Sequence, residues 1–141
     1  MSKKEFKHIR DPSLSTVAPD HFKQAHNMIF AGTHLLIDIW QAQGLDEMER
    51  VKKALRESAD IAQATLMQIH VHRFTPSGGI SGIAILAESH ISIHTWPERS
   101  YAAVDIFMCG ATQPELAVPV LGETFLTSQI EVKIIRRGQV R

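Results

Sequence analysis

Hydroxyls, imidazoles and a thiol are concentrated in thirty residues of this chain, Ser81 to Gly110. An apolar run from Ile83 to Ala87 leads into Glu88-Ser89-His90. Ile91, Ile93 and Thr95 then alternate with Ser92, His94 and Trp96. A two-residue period is that of a strand, whose successive side chains point to opposite faces, so Ser92, His94 and Trp96 share one face and Ile91 and Ile93 the other. After Pro97 a second alternating run, Ala102 to Cys109, puts Ala103, Asp105, Phe107 and the only cysteine on one side. Serine, histidine and cysteine are side chains of acid–base and nucleophilic chemistry, and here they centre on Glu88-Ser89. A metal is the competing reading, because Thr65 to Arg73 alternates Met67, Ile69 and Val71 with Gln68, His70 and His72. His90 and His94 would have to complete that set across strands. Zinc takes three or four ligands, usually with a second cluster at a recognisable spacing, and no such pattern stands here, so no metal is expected.

The elements that must hold these groups follow from periodicity. Thr33 to Trp40 is rich in strand formers, with Leu35, Ile37 and Ile39 on one face. Asp46 to Ala64 repeats Met48, Val51, Leu55, Ala59 and Ala62 at helical spacing, and its charges, Glu47 to Glu57, read as a solvated surface. Thr75-Pro76-Ser77-Gly78-Gly79 is a turn by composition. It lacks the following helix and the Lys-Ser/Thr of a phosphate cradle. Gln113 to Phe125 reads as helix, with Pro114 suited to a first turn. Pro119 demands a kink, or a helix that starts close to it. Ile130, Val132 and Ile134 alternate as a last strand. The order strand, helix, four strands, helix, strand predicts an α+β fold, a two-layer sandwich with helices on one face of a mainly antiparallel sheet.

The chain has 141 residues, which suits one domain. Fifteen basic residues balance fifteen acidic ones, so net charge draws the chain neither to nucleic acid nor to anionic lipid, and the expected partner is a small molecule. Cys109 cannot form an internal disulfide, and no stretch has the length and apolarity of a bilayer span or signal-peptide core, which reads as cytoplasmic. Residues 1–26, with Lys3, Lys4, Lys7 and Arg10 and then Pro12 and Pro19, show no sustained apolar period and read as a flexible extension before a domain at 27–141.

The chemistry-bearing stretch resembles the prokaryotic S-adenosylmethionine decarboxylases, proenzymes that cut their own backbone to make a pyruvoyl cofactor. The matching words are Ser81-Gly82, Glu88-Ser89-His90, Ile93-His94-Thr95-Trp96-Pro97-Glu98, Tyr101-Ala102-Ala103 and Cys109-Gly110. Weaker ones, Gly32-Thr33-His34, His72-Arg73-Phe74 and Arg136-Arg137-Gly138, extend the likeness over roughly residues 32 to 138. The Thr75–Gly79 loop departs from the commoner pattern by one extra residue.

The resemblance implies the same α+β sandwich, a homodimer with active sites near its interface, and decarboxylation of S-adenosyl-L-methionine for spermidine synthesis. It implies that the Ser89 hydroxyl attacks the Glu88 carbonyl and turns the amide into an ester. Loss of the Ser89 α-proton expels the Glu88 carboxylate. The dehydroalanine becomes an imine and hydrolyses, releasing ammonia and leaving a pyruvoyl group that starts chain 89–141 beside chain 1–88. His94 is implied as the processing base and Ser81 as its aid. The pyruvoyl ketone is implied to hold substrate as a Schiff base, Cys109 to be the proton donor in decarboxylation, Glu98 to bind the ribose hydroxyls and Phe74 to stack on adenine. Arginine or ornithine is the alternative substrate, since relatives on this scaffold use them, and a non-catalytic activating partner subunit is the alternative class.

Overall fold

The computed structural model describes residues 22–25 and 27–140; the basic cluster from Lys3 to Arg10 lies outside the described residues. Lys23–Ala25 (β1), which the sequence reading places in the extension, pairs antiparallel with Met28–Phe30 (β2). Such a short hairpin carries no apolar period for a sequence to reveal, and it is anchored by Phe30, which is buried. The chain then runs through Gly32–Trp40 (β3), Met48–Ile61 (α1), Leu66–Arg73 (β4), Ile80–Leu86 (β5), Ser89–Trp96 (β6) and Tyr101–Cys109 (β7). A short 3-10 turn, Pro114–Leu116, precedes Ala117–Thr124 (α2), and Gln129–Arg137 (β8) follows.

Six of these strands form one antiparallel sheet in the order β4-β5-β6-β7-β3-β8, with α1 and α2 on one face. The expected layers and element order are therefore present. The β6–β7 register, His90↔Phe107 through His94↔Ala103 to Trp96↔Tyr101, fixes which face every side chain takes. Leu35, Ile37 and Ile39 of β3, Ile91 and Ile93 of β6 and Val104 and Ile106 of β7 point to the helices and are buried. The helices complete the core with Val51, Ala54, Leu55 and Ala59 of α1 and Leu121 of α2. Burying each such large aliphatic side chain stabilises the fold by about 1.5–3 kcal/mol. Gly82 allows α1 to approach β5, since a β-carbon there would stand 3.3 Å from both Leu55 Cδ1 and Ile93 Cγ2.

Pro119 falls in the first turn of α2, whose N-cap is Leu116. The first N–H groups of a helix have no intrahelical acceptor, so a proline there removes no bond. The second of the two expectations for this segment is therefore the one realised. No helix among the described residues is long and apolar enough to cross a membrane.

Candidate active site

The two-residue turn Ala87–Glu88 joins β5 to β6, with Leu86 and Ser89 paired across it. Glu88 has φ 64°, the left-handed region that a non-glycine residue occupies only at a cost, so strain sits on the residue preceding Ser89. The end of β7 lies beside this turn. The Cys109 N–H donates to Ser89 Oγ at 3.3 Å, and the Cys109 thiol donates to the Glu88 carbonyl oxygen at 3.4 Å and lies 3.6 Å from Ser89 Oγ. One residue thus holds the hydroxyl that would attack and polarises the carbonyl that would be attacked. Gly32, paired with Cys109, permits this fit. A β-carbon at Gly32 would lie 2.4 Å from the Met108 carbonyl oxygen and push the end of β7 away.

Ser81 and His94 are cross-strand partners, and Ser81 Oγ shares a hydrogen bond of 2.8 Å with His94 Nδ1. The pair stands apart from Ser89. His94 is five residues along β6 from Ser89, and at roughly 3.3 Å per residue that is about 16 Å. Phe74 follows the end of β4 on the same side as Ser81, exposed, with its ring edge-on to His72 at 4.6 Å. Glu98 lies in the 3-10 turn beyond the end of β6. The residues singled out by the sequence therefore fall into two groups at opposite ends of one strand, Ser89 with Cys109 and Ser81 with His94, Phe74 and Glu98.

The second group opens on the sheet face that carries no helix, and Cys109 alternates onto that face with Phe107, whereas Ser89, at the end of β6, falls in step with the core residues Ile91 and Ile93. A cavity of about 450 Å³ lies at the second, lined by His70, His72, Ser81, Ile83, Ser92 and His94 among others. Among the described residues no group of three His, Cys, Asp or Glu gathers around a metal position. Further polar groups between the two ends received no role from the sequence, which put only Asp105 of them on a face. His34 Nε2 lies 3.2 Å from Asp105 Oδ2, and the Tyr101 hydroxyl donates to Asp38 at 2.5 Å. Burial, and then the adjoining Asp38 carboxylate, push Tyr101 from 10.0 up to about 12, so it is a phenol that donates across the physiological range. Trp40 and Trp96 flank its ring at 4.4 and 5.3 Å.

Comparison with known proteins gives this arrangement a context. The family model for S-adenosylmethionine decarboxylase matches residues 33–138. A relative from Thermomicrobium roseum called S-adenosylmethionine decarboxylase proenzyme is 46% identical over 110 residues, covering 77% of this chain and 95% of its own. A proenzyme of the same name from Methanococcus aeolicus is 43% identical over 112 residues, again 77% and 95%. The crystal structure of the adenosylmethionine decarboxylase from Aquifex aeolicus superposes with a TM-score of 0.70 at 31% identity, covering 79% of this chain and 94% of that one. The chain belongs to the S-adenosylmethionine decarboxylase family.

Proposed function

We propose that the chain is a self-processing, pyruvoyl-dependent decarboxylase that converts S-adenosyl-L-methionine to S-adenosylmethioninamine and CO2 in polyamine biosynthesis. The observation that carries the reading is the Glu88-Ser89 turn, where a strained residue precedes a serine whose hydroxyl and upstream carbonyl are both held by Cys109. The donor set fits formation of the group. Ser89 supplies the β-oxygen, and Cys109 supplies hydrogen bonds to that oxygen and to the carbonyl whose carbon it attacks. The strained Glu88 backbone is relieved once the bond breaks. Bound in place, a pyruvoyl group supplies the electron sink that no side chain offers to a decarboxylating carbon.

The chain's own residues do the rest. Cys109 holds its thiol over the Glu88-Ser89 carbonyl region, where it is placed to deliver a proton beside the group derived from Ser89. A free thiol in that role needs a reducing compartment, which supports a cytoplasmic location. Removal of the Ser89 α-proton needs a base within about 3 Å, and His94 of the same protomer lies about 16 Å away along β6. The spacing therefore supports a homodimer. Two copies packed sheet face to sheet face about a two-fold axis would set the Ser81–His94 pair of one against Ser89 of the other. The same pairing would bring Glu98 to the ribose and Phe74 to the adenine. Trp40, Ile83, Ile85, Trp96 and Ile135, exposed on that face, would be covered.

Intact mass under denaturing conditions tests the processing, and assays with S-adenosyl-L-methionine, arginine and ornithine test the substrate. Fragments 1–88 and 89–141, the second starting with pyruvoyl, together with turnover of S-adenosyl-L-methionine alone, are expected. Turnover confined to a free basic amino acid would overturn the substrate assignment. A chain that stays uncut and inactive but stimulates a relative would make it a non-catalytic partner.

A further inference from the structure

The family match begins at residue 33, yet the hairpin before it reaches the loop that follows Cys109. Lys23, in β1, donates from Nζ to the Thr112 carbonyl oxygen at 2.9 Å in a partly buried contact. The Thr112 hydroxyl in turn donates to the Cys109 carbonyl oxygen at 2.8 Å, closing the turn that carries Gly110 at φ 66°. The hairpin itself is fixed to the sheet. The Val140 N–H donates to the Ile29 carbonyl at 2.8 Å, the Ala31 N–H to the Arg137 carbonyl at 2.8 Å, and Phe30 is buried under the Arg136 guanidinium, which lies 5.9 Å from its ring centre. Two short bonds thus connect an anchored element outside the family match to the backbone of Cys109.

We infer that the β1–β2 hairpin is a clamp on the Cys109 loop and that Lys23 is a positioning residue for the thiol. Cys109 terminates β7, and its carbonyl points into a turn that has no strand partner beyond it. A strand end of this kind frays unless its last carbonyl and the following turn are bonded. Lys23 supplies a charge-assisted bond at that place, and Thr112 transmits it. The inference rests on the proposed role of Cys109 as the acid for its effect on turnover, but its effect on the thiol stands separately.

The test uses the full chain as wild type, Lys23→Ala and Lys23→Arg, with Thr112→Val as a second break in the same connection. Cys109 is the only cysteine, so its rate of alkylation by iodoacetamide reads the loop directly. Alkylation should be faster by about three- to tenfold in Lys23→Ala and in Thr112→Val, the effect of losing one hydrogen bond. Lys23→Arg should stay near wild type. The turnover number should fall in the two breaking variants while KM is kept. Unchanged alkylation in both would overturn the clamp. Faster alkylation with an unchanged turnover number would support the clamp and overturn Cys109 as the acid.

Discussion

Two inactive variants of this chain, Ser89→Ala and His94→Ala, should restore one another when they are made together. Ser89 and His94 sit on one strand, five residues apart, and a strand's rise of about 3.3 Å per residue puts them about 16 Å apart. A proton transfer requires about 3 Å, and an imidazole on a pleated strand stands perpendicular to it and cannot lean over the difference. If the base comes from the second copy, a mixed dimer has one complete site, made of Ser89 from the His94→Ala chain and His94 from the Ser89→Ala chain. Equal co-expression with random pairing puts about half of the His94→Ala chains opposite a Ser89→Ala chain. Denaturing mass spectrometry would then find about half of those chains as fragments 1–88 and 89–141, and none of the Ser89→Ala chains cut. Alone, Ser89→Ala should stay whole, and His94→Ala should be cut on the order of a hundredfold more slowly than wild type, the usual loss on removing a general base. No fragments from the mixed sample would refute the shared site. Prompt cutting of His94→Ala alone would remove His94 from the processing.

Other predictions rest on single contacts. Cys109→Ala should still cut, but slowly, because the main-chain N–H to Ser89 Oγ survives while the thiol bond to the Glu88 carbonyl is lost; wild-type turnover by the cut variant would dismiss the thiol. Tyr101 is the only tyrosine, so tyrosinate absorbance follows it alone. The native hydroxyl should ionise near pH 12, against 10.0 when unfolded, and lower in Asp38→Asn. Since the folded value is the raised one, this interaction is intact below pH 10 and its stability is lost as pH rises from about 10 to about 12; a native midpoint at 10 would contradict it. Ile93→Ala, which empties a fully buried position between sheet and α1, should cost about 2–5 kcal/mol in urea unfolding. Ser58→Ala should raise stability by about 1 kcal/mol, because the buried Ser58 hydroxyl in α1 has no hydrogen-bond partner among the described residues; a loss of stability would show that the hydroxyl is bonded.

Much of the fold was legible because β3, β6 and β7 obey the two-residue period without interruption. Leu35-Ile37-Ile39, Ile91-Ile93 and Val104-Ile106 all reach the core, and the three-to-four stripe of Val51, Leu55 and Ala59 finds its helix. The β1–β2 hairpin escaped because three-residue strands hold too few positions to show a period. Its contacts are with residues about a hundred positions away, Arg137 and Val140, which no local pattern records. Of the polar pairs His34–Asp105 and Asp38–Tyr101, the sequence assigned a face to Asp105 alone. Their pairing, however, depends on β3 lying next to β7, and strand order is not encoded in the alternation of either.

The position of His94 carries the more general argument. In a helix, residues close in sequence are close in space, and a compact motif is a compact site. In a strand each residue adds about 3.3 Å of length, so Glu88-Ser89-His90 and His94-Thr95-Trp96-Pro97-Glu98 are driven apart by the regularity that makes them recognisable. Ser81 does not close the gap. Antiparallel pairing joins it to His94, 2.8 Å away, and ties Leu86 to Ser89 at the other end. A pleated strand does not fold back on itself, so the two ends of β6 lie apart within one copy, and two sheets laid face to face with opposite polarity would bring them together. If one reaction uses both groups, as proposed above, its reacting centre would be built from two copies of this chain. On that proposal the open face, with its exposed tryptophans and isoleucines, would be as much a part of the catalytic apparatus as Ser89.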